Sequence, residues 1–351
     1  MSSQKALFLL ERLGKFGLGT NTIPEPAPGE LLVEIRATAL NPVDWKIQDH
    51  DFEGIIQEYP AILGTDSAGV VAKVGEGVTR FAVGDRVMHQ GFFTTRMATF
   101  QQYTTVPEQL AAKIPPNLTF DEACTIPLTM ATAAIGLYNK HIEPNGGCEL
   151  SPPWEEGGRG KYAGQPFFVT GGSSSLGQHV IQFAKLSGFS PIITTASPRH
   201  EAALKALGAT HVVDRATPPT ELPALARRLA GAPVLVAFDA ISSRDTQNVC
   251  YDVLARGGQV VLALPSEIEK GKLTPEKRVV EVFGNVHVPA QTPVGISLYR
   301  KVTELVANGD IKPNNVEVLP NGLLGIPDGL NRLKEGKVSL AKLVARPQET
   351  P

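Results

Sequence analysis

Cysteine is scarce: Cys124, Cys148 and Cys250 are the three in 351 residues, and none lies within a few residues of another. That excludes a disulfide framework and a four-cysteine structural zinc site. A dominant charge is lacking as well, because the formal net charge is −2. Neither an acidic disordered tail nor a basic nucleic-acid surface is therefore indicated. Long apolar runs are missing too. The run that begins at Ala6 is broken by Glu11 and Arg12, too short for a secretory or membrane-spanning segment, so a cytoplasmic protein without a membrane partner is the expectation. What is present is a globular composition, 42% hydrophobic, in a chain long enough for two domains sharing a cleft.

Short β-branched and apolar runs punctuated by glycine and proline fill the first third, at 31–35, 68–74 and 84–88. They predict a mostly antiparallel, barrel-like domain. Residues 121–140 are rich in alanine and leucine and follow Asn117-Leu118-Thr119-Phe120, which predicts one long helix. Over 143–165 proline, glycine and charge occur without periodicity; this reads as a surface excursion, either a passive loop or a lid or partner contact. After Pro166 an alternation begins, with strands expected over 167–170, 191–195, 211–213, 234–239 and 259–264 and helices over 176–187, 199–207, 222–230 and 246–255. A sixth strand is expected around 285–288. The pattern is that of an α/β chain with a doubly wound parallel sheet. A helix over 296–308 and a strand over 342–345 are expected to fold back onto the first domain.

At the head of the alternation stands Phe168-Val169-Thr170-Gly171-Gly172-Ser173-Ser174-Ser175-Leu176-Gly177. Glycines fall where an apolar strand ends and an apolar helix begins, the junction at which a backbone can approach a diphosphate and helix amides can face it. From Gly172 the spacing is G-x-x-x-x-G, with serine where the second glycine of the usual fingerprint falls. A turn without a ligand is the alternative, and the position before five strand–helix steps argues against it. An NAD site places Asp or Glu about 20 residues further on. Here the second strand runs into Thr195-Ala196-Ser197-Pro198-Arg199-His200. Ser197 can donate to a 2′-phosphate, Arg199 can pair with it and His200 can add partial charge, which predicts NADPH; alternatively Arg199 is an exposed residue of a first helical turn.

Along nearly its whole length the chain resembles the medium-chain dehydrogenase/reductase superfamily, above all its zinc-free quinone-oxidoreductase-like members and the fungal enoyl and alkenal double-bond reductases. The resemblance rests on Ala39-Leu40-Asn41-Pro42-Val43-Asp44-Trp45-Lys46, Pro60-Ala61-Ile62-Leu63-Gly64-Thr65-Asp66-Ser67-Ala68-Gly69, Val83-Gly84-Asp85-Arg86-Val87, the glycine loop and Gly208-Ala209-Thr210-His211. It implies a GroES-like β-rich catalytic domain over 1–125 and 290–351, and a Rossmann NADPH-binding domain over 126–289. Zinc-dependent members carry a cysteine near 41–44 and Gly-His-Glu where this chain reads Gly64-Thr65-Asp66. Those ligands are absent here, and no metal is expected.

The resemblance further implies that Val43, Asp44 and Lys46 lie beside the nicotinamide ribose and that Gly172, Ser173, Ser174, Ser175, Leu176 and Gly177 cradle the diphosphate. Ser197, Arg199 and His200 surround the 2′-phosphate, with His211 where relatives often carry tyrosine near it. Leu262 and Ala263 end the fifth strand under the nicotinamide, and Ser339 and Leu340 close from the C-terminal segment. The implied reaction is zinc-independent reduction of the C=C bond of a small enone or enal, with hydride added to the β-carbon. Lys46, Thr132 or the ribose hydroxyl holds the carbonyl oxygen, and the proton comes from a side chain or water. For Lys46 a cofactor-positioning role stays open, as does a structural role for Thr132. Tyr59, Tyr103, His89 and His287 read as core or structural residues and Asp44 as a turn cap. A monomer or homodimer is expected. Other functions left open are trans-acting enoyl reduction on a carrier-tethered polyketide, quinone reduction, and NADPH binding without catalysis.

Overall fold

The computed structural model describes residues 2–142 and 145–351. The chain forms two compact units, one of Met1–Leu128, Tyr299–Ala307 and Pro313–Pro351, the other of Thr129–Leu298 and Asn308–Lys312. Residues 126–128 thus group with the first unit and 290–298 with the second, against the division expected from sequence.

The first unit opens with β1 (Ser3–Leu9) and β2 (Phe16–Thr22), then β3 (Glu30–Ala39), α1 (Pro42–His50), β4 (Ala61–Ile62), β5 (Asp66–Val74), β6 (Arg86–Gln90), β7 (Tyr103–Pro107) and β8 (Ala111–Lys113). In β3 the alternate residues Leu31, Val33, Ile35, Ala37 and Ala39 are all buried, as a period of two requires of a strand with one face on a core. Strands β3 and β5 pair with two register irregularities, and a Cβ at Gly69 would fall 2.1 Å from the Glu34 carbonyl oxygen. A side chain there would push the paired backbones apart.

The long helix expected over 121–140 is two helices, α2 (Phe120–Ala123) and α3 (Pro127–Tyr138). Thr119 caps α2 and forms a reciprocal box with Glu122. Pro127 explains the break, since it lacks an N–H and disfavours helical backbone in the residue before it.

In the second unit the sheet comprises β9 (Phe167–Thr170), β10 (Ile192–Ala196), β11 (His211–Asp214), β12 (Val236–Asp239), β13 (Gln259–Leu262) and β14 (Arg278–Glu281). All pairs are parallel, in the order β11-β10-β9-β12-β13-β14. The crossover helices are α4 (Ser175–Leu186), α5 (Glu201–Leu207), α6 (Leu222–Ala230) and α7 (Arg244–Val253). The sixth strand therefore lies before the expected 285–288. That stretch is a turn, in which Asn285 Oδ1 accepts from the His287 amide at 2.9 Å.

Of the excursion expected over 143–165, residues 143 and 144 lie outside the described residues. The remainder has no strand or helix, yet it is pinned down rather than poised as a lid. Trp154, 8% exposed, meets Tyr138 edge-on at 5.1 Å and donates from Nε1 to Ser297 Oγ at 3.0 Å. Tyr162 stacks on Phe189 at 4.9 Å, and its amide donates to the Ser187 carbonyl.

The helix expected over 296–308 is likewise two, α8 (Thr292–Tyr299) and α9 (Val302–Ala307). The chain then returns to the first unit through β15 (Asn315–Val318), α10 (Ile326–Lys334) and β16 (Ala341–Ala345). These complete a seven-stranded sheet ordered β15-β16-β3-β5-β6-β8, with β7 also on β3; β1, β2 and β4 form a separate three-stranded sheet. No helix among the described residues is long and apolar enough to cross a membrane.

Candidate cofactor site and active-site residues

In the second unit the glycine loop leaves the centre of the parallel sheet. Gly171 has φ +69, a backbone favourable only for glycine, and its amide donates to Thr195 Oγ1 at 3.0 Å. A Cβ at Gly172 would fall 2.2 Å from Thr194 Oγ1 and one at Gly177 2.2 Å from the Gly171 carbonyl oxygen. Loop and helix are thus drawn together to a degree that side chains forbid. Ser174 caps α4, accepting from the Gly177 amide at 3.0 Å, with Ser173 just before the cap and Ser175 and Leu176 in the first turn. A twelve-residue helix starting at the carboxyl edge of a central parallel strand, behind a side-chain-free loop, fits a dinucleotide diphosphate.

Two neighbouring strand ends brace the loop. Asp239, at the end of β12, accepts at Oδ1 from Thr170 Oγ1 (2.5 Å) and from the Ile241 and Ser242 amides. Burial pushes its pKa up, while the bonds from Ser242 and Thr170 oppose the rise. Ser242 Oγ in turn accepts from the Ala263 amide at 2.8 Å, fixing the Leu262–Ala263 step at the same carboxyl edge. On α3, Thr129 Oγ1 lies 3.2 Å from Ser175 Oγ and 3.0 Å from His179 Nδ1. Asp239, Ser242, Thr129 and His179 were missed in the sequence because no local motif marks them. Thr132 is half-buried, with its hydroxyl against Gly284, where a Cβ would fall 2.0 Å from Oγ1.

At the end of β10, Ser197 opens a 3-10 turn over Pro198–His200, and Arg199 Nε lies 3.2 Å from His200 Nε2. His211 does not join them. It pairs with Ile193 at the amino end of β11, whereas Ala196 pairs with Asp214 at the carboxyl end; three residues of strand place His211 about 10 Å away along the sheet. The residue at the carboxyl end is Arg215, whose amide donates to the Ala196 carbonyl at 2.9 Å.

In the first unit Val43, Asp44 and Lys46 lie on α1. Asp44 closes the helix start by accepting from the Asn41 amide at 2.8 Å, while its Oδ1 is buried without a hydrogen bond. Burial pushes its pKa up to about 7, helped by Asp66 and opposed by the Asn41 and Gly64 amides. Lys46 is half-buried with Nζ 4.7 Å above the Trp45 ring, and burial lowers its pKa. Asp66 is fully committed. Its Oδ2 meets Lys342 Nζ at 2.6 Å and Asn41 Nδ2 at 2.8 Å, and Oδ1 accepts from the Leu128 amide at 2.7 Å. Ser339 and Leu340 precede β16, Leu340 at φ +55 with its carbonyl held by Asn315 Nδ2.

Tyr59 sits in a bend, not a strand, with its hydroxyl 3.4 Å from Asp51 Oδ1; Tyr103 lies in β7. His89 is buried in β6, with Nδ1 3.0 Å from the Gln90 carbonyl oxygen. Among the described residues no three of His, Cys, Asp and Glu are grouped as a metal ion would need.

The alcohol dehydrogenase GroES-like domain matches residues 27–116, and the zinc-binding dehydrogenase domain matches 175–279. The trans-enoyl reductase himH of Aspergillus japonicus is 36% identical over 287 residues, 80% of this chain and 78% of its own. The trans-enoyl reductase grgB of a Penicillium species is 30% identical over 353 residues, 94% and 95% of the two chains. An alcohol dehydrogenase superfamily protein from Novosphingobium aromaticivorans superposes with a TM-score of 0.79 at 26% identity, covering 97% of this chain and 98% of its own. A GroES-like β-rich unit, a Rossmann-type sheet and relatives of this extent have one reading: the chain belongs to the medium-chain dehydrogenase/reductase superfamily, in the enoyl reductase family that the fungal relatives represent.

Proposed function

We propose that the protein is an NADPH-dependent, zinc-independent reductase of the C=C bond of an α,β-unsaturated carbonyl compound. The observation that carries this reading is the commitment of Asp66. In the segment where zinc-dependent relatives hold their metal, its oxygens are taken by Lys342, Asn41 and the Leu128 amide. A catalytic zinc needs about three Cys, His or carboxylate ligands. Without a Lewis acid, direct carbonyl reduction loses its polarising contact, and conjugate addition becomes the easier course because charge spreads into an enolate that hydrogen-bond donors stabilise.

Bound NADPH supplies a hydride to the β-carbon. Gly172, Ser173, Ser174, Ser175, Leu176 and Gly177 would hold the diphosphate, and Ser197, Arg199 and His200 would hold the 2′-phosphate. Within the second unit, Leu262 and Ala263 would lie under the nicotinamide. Lys46, Thr132 or the ribose hydroxyl would hold the carbonyl oxygen as negative charge grows there, and a proton delivered to the α-carbon by a side chain or water would complete the reduction.

A second reading concerns presentation of the substrate. Relatives called trans-enoyl reductases favour an enoyl group carried on another protein. One panel separates the readings: loss of NADPH absorbance with enals and enones of increasing length, an enoyl thioester free and on a carrier, and a simple quinone. Steady turnover of free enals supports the first reading and turnover of the tethered enoyl alone supports the second. Oxidation by quinone alone, NADPH binding with no oxidation by any acceptor, or stoichiometric zinc in the purified protein overturns both.

A further inference from the structure

Ser242 follows β12 at the carboxyl edge of the parallel sheet with φ +57, a left-handed backbone that residues with a Cβ rarely adopt. It is buried, and its hydroxyl makes two bonds at once, donating to the Asp239 carbonyl at 3.0 Å and accepting from the Ala263 amide at 2.8 Å. The Ser242 amide donates to Asp239 Oδ1 at 2.8 Å, and the same oxygen accepts from Thr170 Oγ1, next to the glycine loop. One chain of hydrogen bonds therefore runs across the ends of three adjacent strands, β9, β12 and β13. The segment after β13 is held from the same side. Gln247 of α7, fully buried, donates to the Pro265 carbonyl at 3.0 Å and accepts from the Glu267 amide at 2.5 Å, and Asn248 accepts from the Glu269 amide at 3.2 Å. A glycine would adopt the Ser242 backbone without strain, yet it would leave the Ala263 amide without this acceptor. Strained backbone persists where the surrounding structure imposes it, and such residues cluster at functional sites.

We propose that Ser242 is a positioning residue for the nicotinamide: through the Ala263 amide it fixes the end of β13 as the floor under the ring, and through Asp239 it ties that floor to the glycine loop. The inference rests on the reading of the protein as a nicotinamide-nucleotide reductase and deepens it. In the order β11-β10-β9-β12-β13-β14 the direction of winding reverses between β9 and β12, where a dinucleotide lies across the sheet. The turn that carries Arg199 is on the β10 side, which leaves β12 and β13 to the nicotinamide half. Hydride transfer falls steeply when the reacting atoms are displaced by an ångström, whereas the diphosphate depends on the loop and the helix start. Loss of the hydroxyl bridge therefore loosens the ring while the nucleotide stays bound.

Ser242→Gly and Ser242→Ala, each in the full-length protein, separate the hydroxyl from the backbone. Both lose the bridge to Ala263, and only glycine relieves the left-handed strain. Unfolding is therefore expected at higher urea for Ser242→Gly than for Ser242→Ala, the reverse of the usual order of these two residues. Titration with NADPH, and separately with NADH, reads the emission of the bound dihydronicotinamide. Both variants are expected to lose most of the emission enhancement that the wild-type complex gains from a rigidly held ring, with the Kd for NADPH within about threefold of wild type. A structural role alone makes the emission follow stability, so that Ser242→Gly keeps the enhancement. That result, enhancement kept in both variants, or a wild-type complex without enhancement overturns the inference and leaves the reductase reading standing. Binding of NADH alone removes NADPH as the cofactor, and the emission of the NADH complex then decides the role of Ser242 by the same criteria. Binding of neither nucleotide overturns the reductase reading and the inference together.

Discussion

Lys342 Nζ lies 2.6 Å from Asp66 Oδ2 across 276 residues of chain, with side chains 3% and 0% exposed. Removing one member leaves a buried charge uncompensated, at a cost of about 3–5 kcal/mol. Lys342→Met is therefore expected to lower unfolding stability in urea by that order. Asp66→Asn combined with Lys342→Met should cost less, because the charge leaves with its partner while the Leu128 amide keeps an acceptor. A double variant as unstable as the single one contradicts this account.

Asp44 gives a pH dependence whose sign is opposite to that of a salt-bridged carboxylate. Its pKa is held up at about 7, from 3.8, chiefly by burial. The folded state then binds the proton more tightly than the unfolded chain. The resulting stability is fully present below about pH 4, is lost as pH rises toward 7, and stays lost above. The span corresponds to on the order of 4 kcal/mol. Asp44→Asn should flatten this slope in denaturation series at successive pH values, and an unaltered slope assigns it to another group.

Gly177→Ala sets a methyl group 2.2 Å from the Gly171 carbonyl oxygen and 2.9 Å from Gly172 Cα. Both contacts are backbone, so α4 must shift off the loop, at about 1–3 kcal/mol of stability. Fluorescence titration should show NADPH affinity reduced at least about tenfold as the diphosphate amides lose alignment. Wild-type affinity in this variant means the diphosphate binds elsewhere.

For Lys46 we expect Lys46→Met, which keeps the apolar stem, to lower kcat about 100-fold with little change in the KM for NADPH. Its burial-lowered pKa should bring the alkaline fall in rate below that of an ordinary lysine, and the variant should lose that limb. The reverse split, a raised KM with normal kcat, makes Lys46 a cofactor-positioning residue only.

Trp154→Ala removes the edge contact to Tyr138 at 5.1 Å, a tilted contact to Phe183 at 5.5 Å and the bond to Ser297. Loss of a buried tryptophan costs about 3–5 kcal/mol. Limited proteolysis should then cut within 151–165 in the variant and spare the wild type; equal resistance means that the strap is held by Tyr162 and its neighbours.

The alternation from 167 to 264 was readable because strands buried on both faces appear as continuous apolar runs, and glycine or proline punctuates each return. The last strand was misplaced for the opposite reason. It lies at the edge of the sheet, with Arg278 and Glu281 at its ends, and only Val280 is fully buried. The break before Pro127 was readable in principle, yet the alanine-rich composition on both sides outweighed it.

In the candidate site the division follows the range of the interaction. The sequence alone determined the glycine loop, the missing acid after β10 and the cations of the following turn, since each depends on residues within one strand–turn–helix step. The tertiary structure decided the rest. Only parallel pairing brings Arg215 beside Ser197 and sends His211 to the other end of its strand, and only the closed sheet of the first unit joins Asp66 to Lys342. Backbone propensity acts over a few residues, whereas hydrogen-bonded register and burial of charge are properties of strands that meet only once the chain has folded.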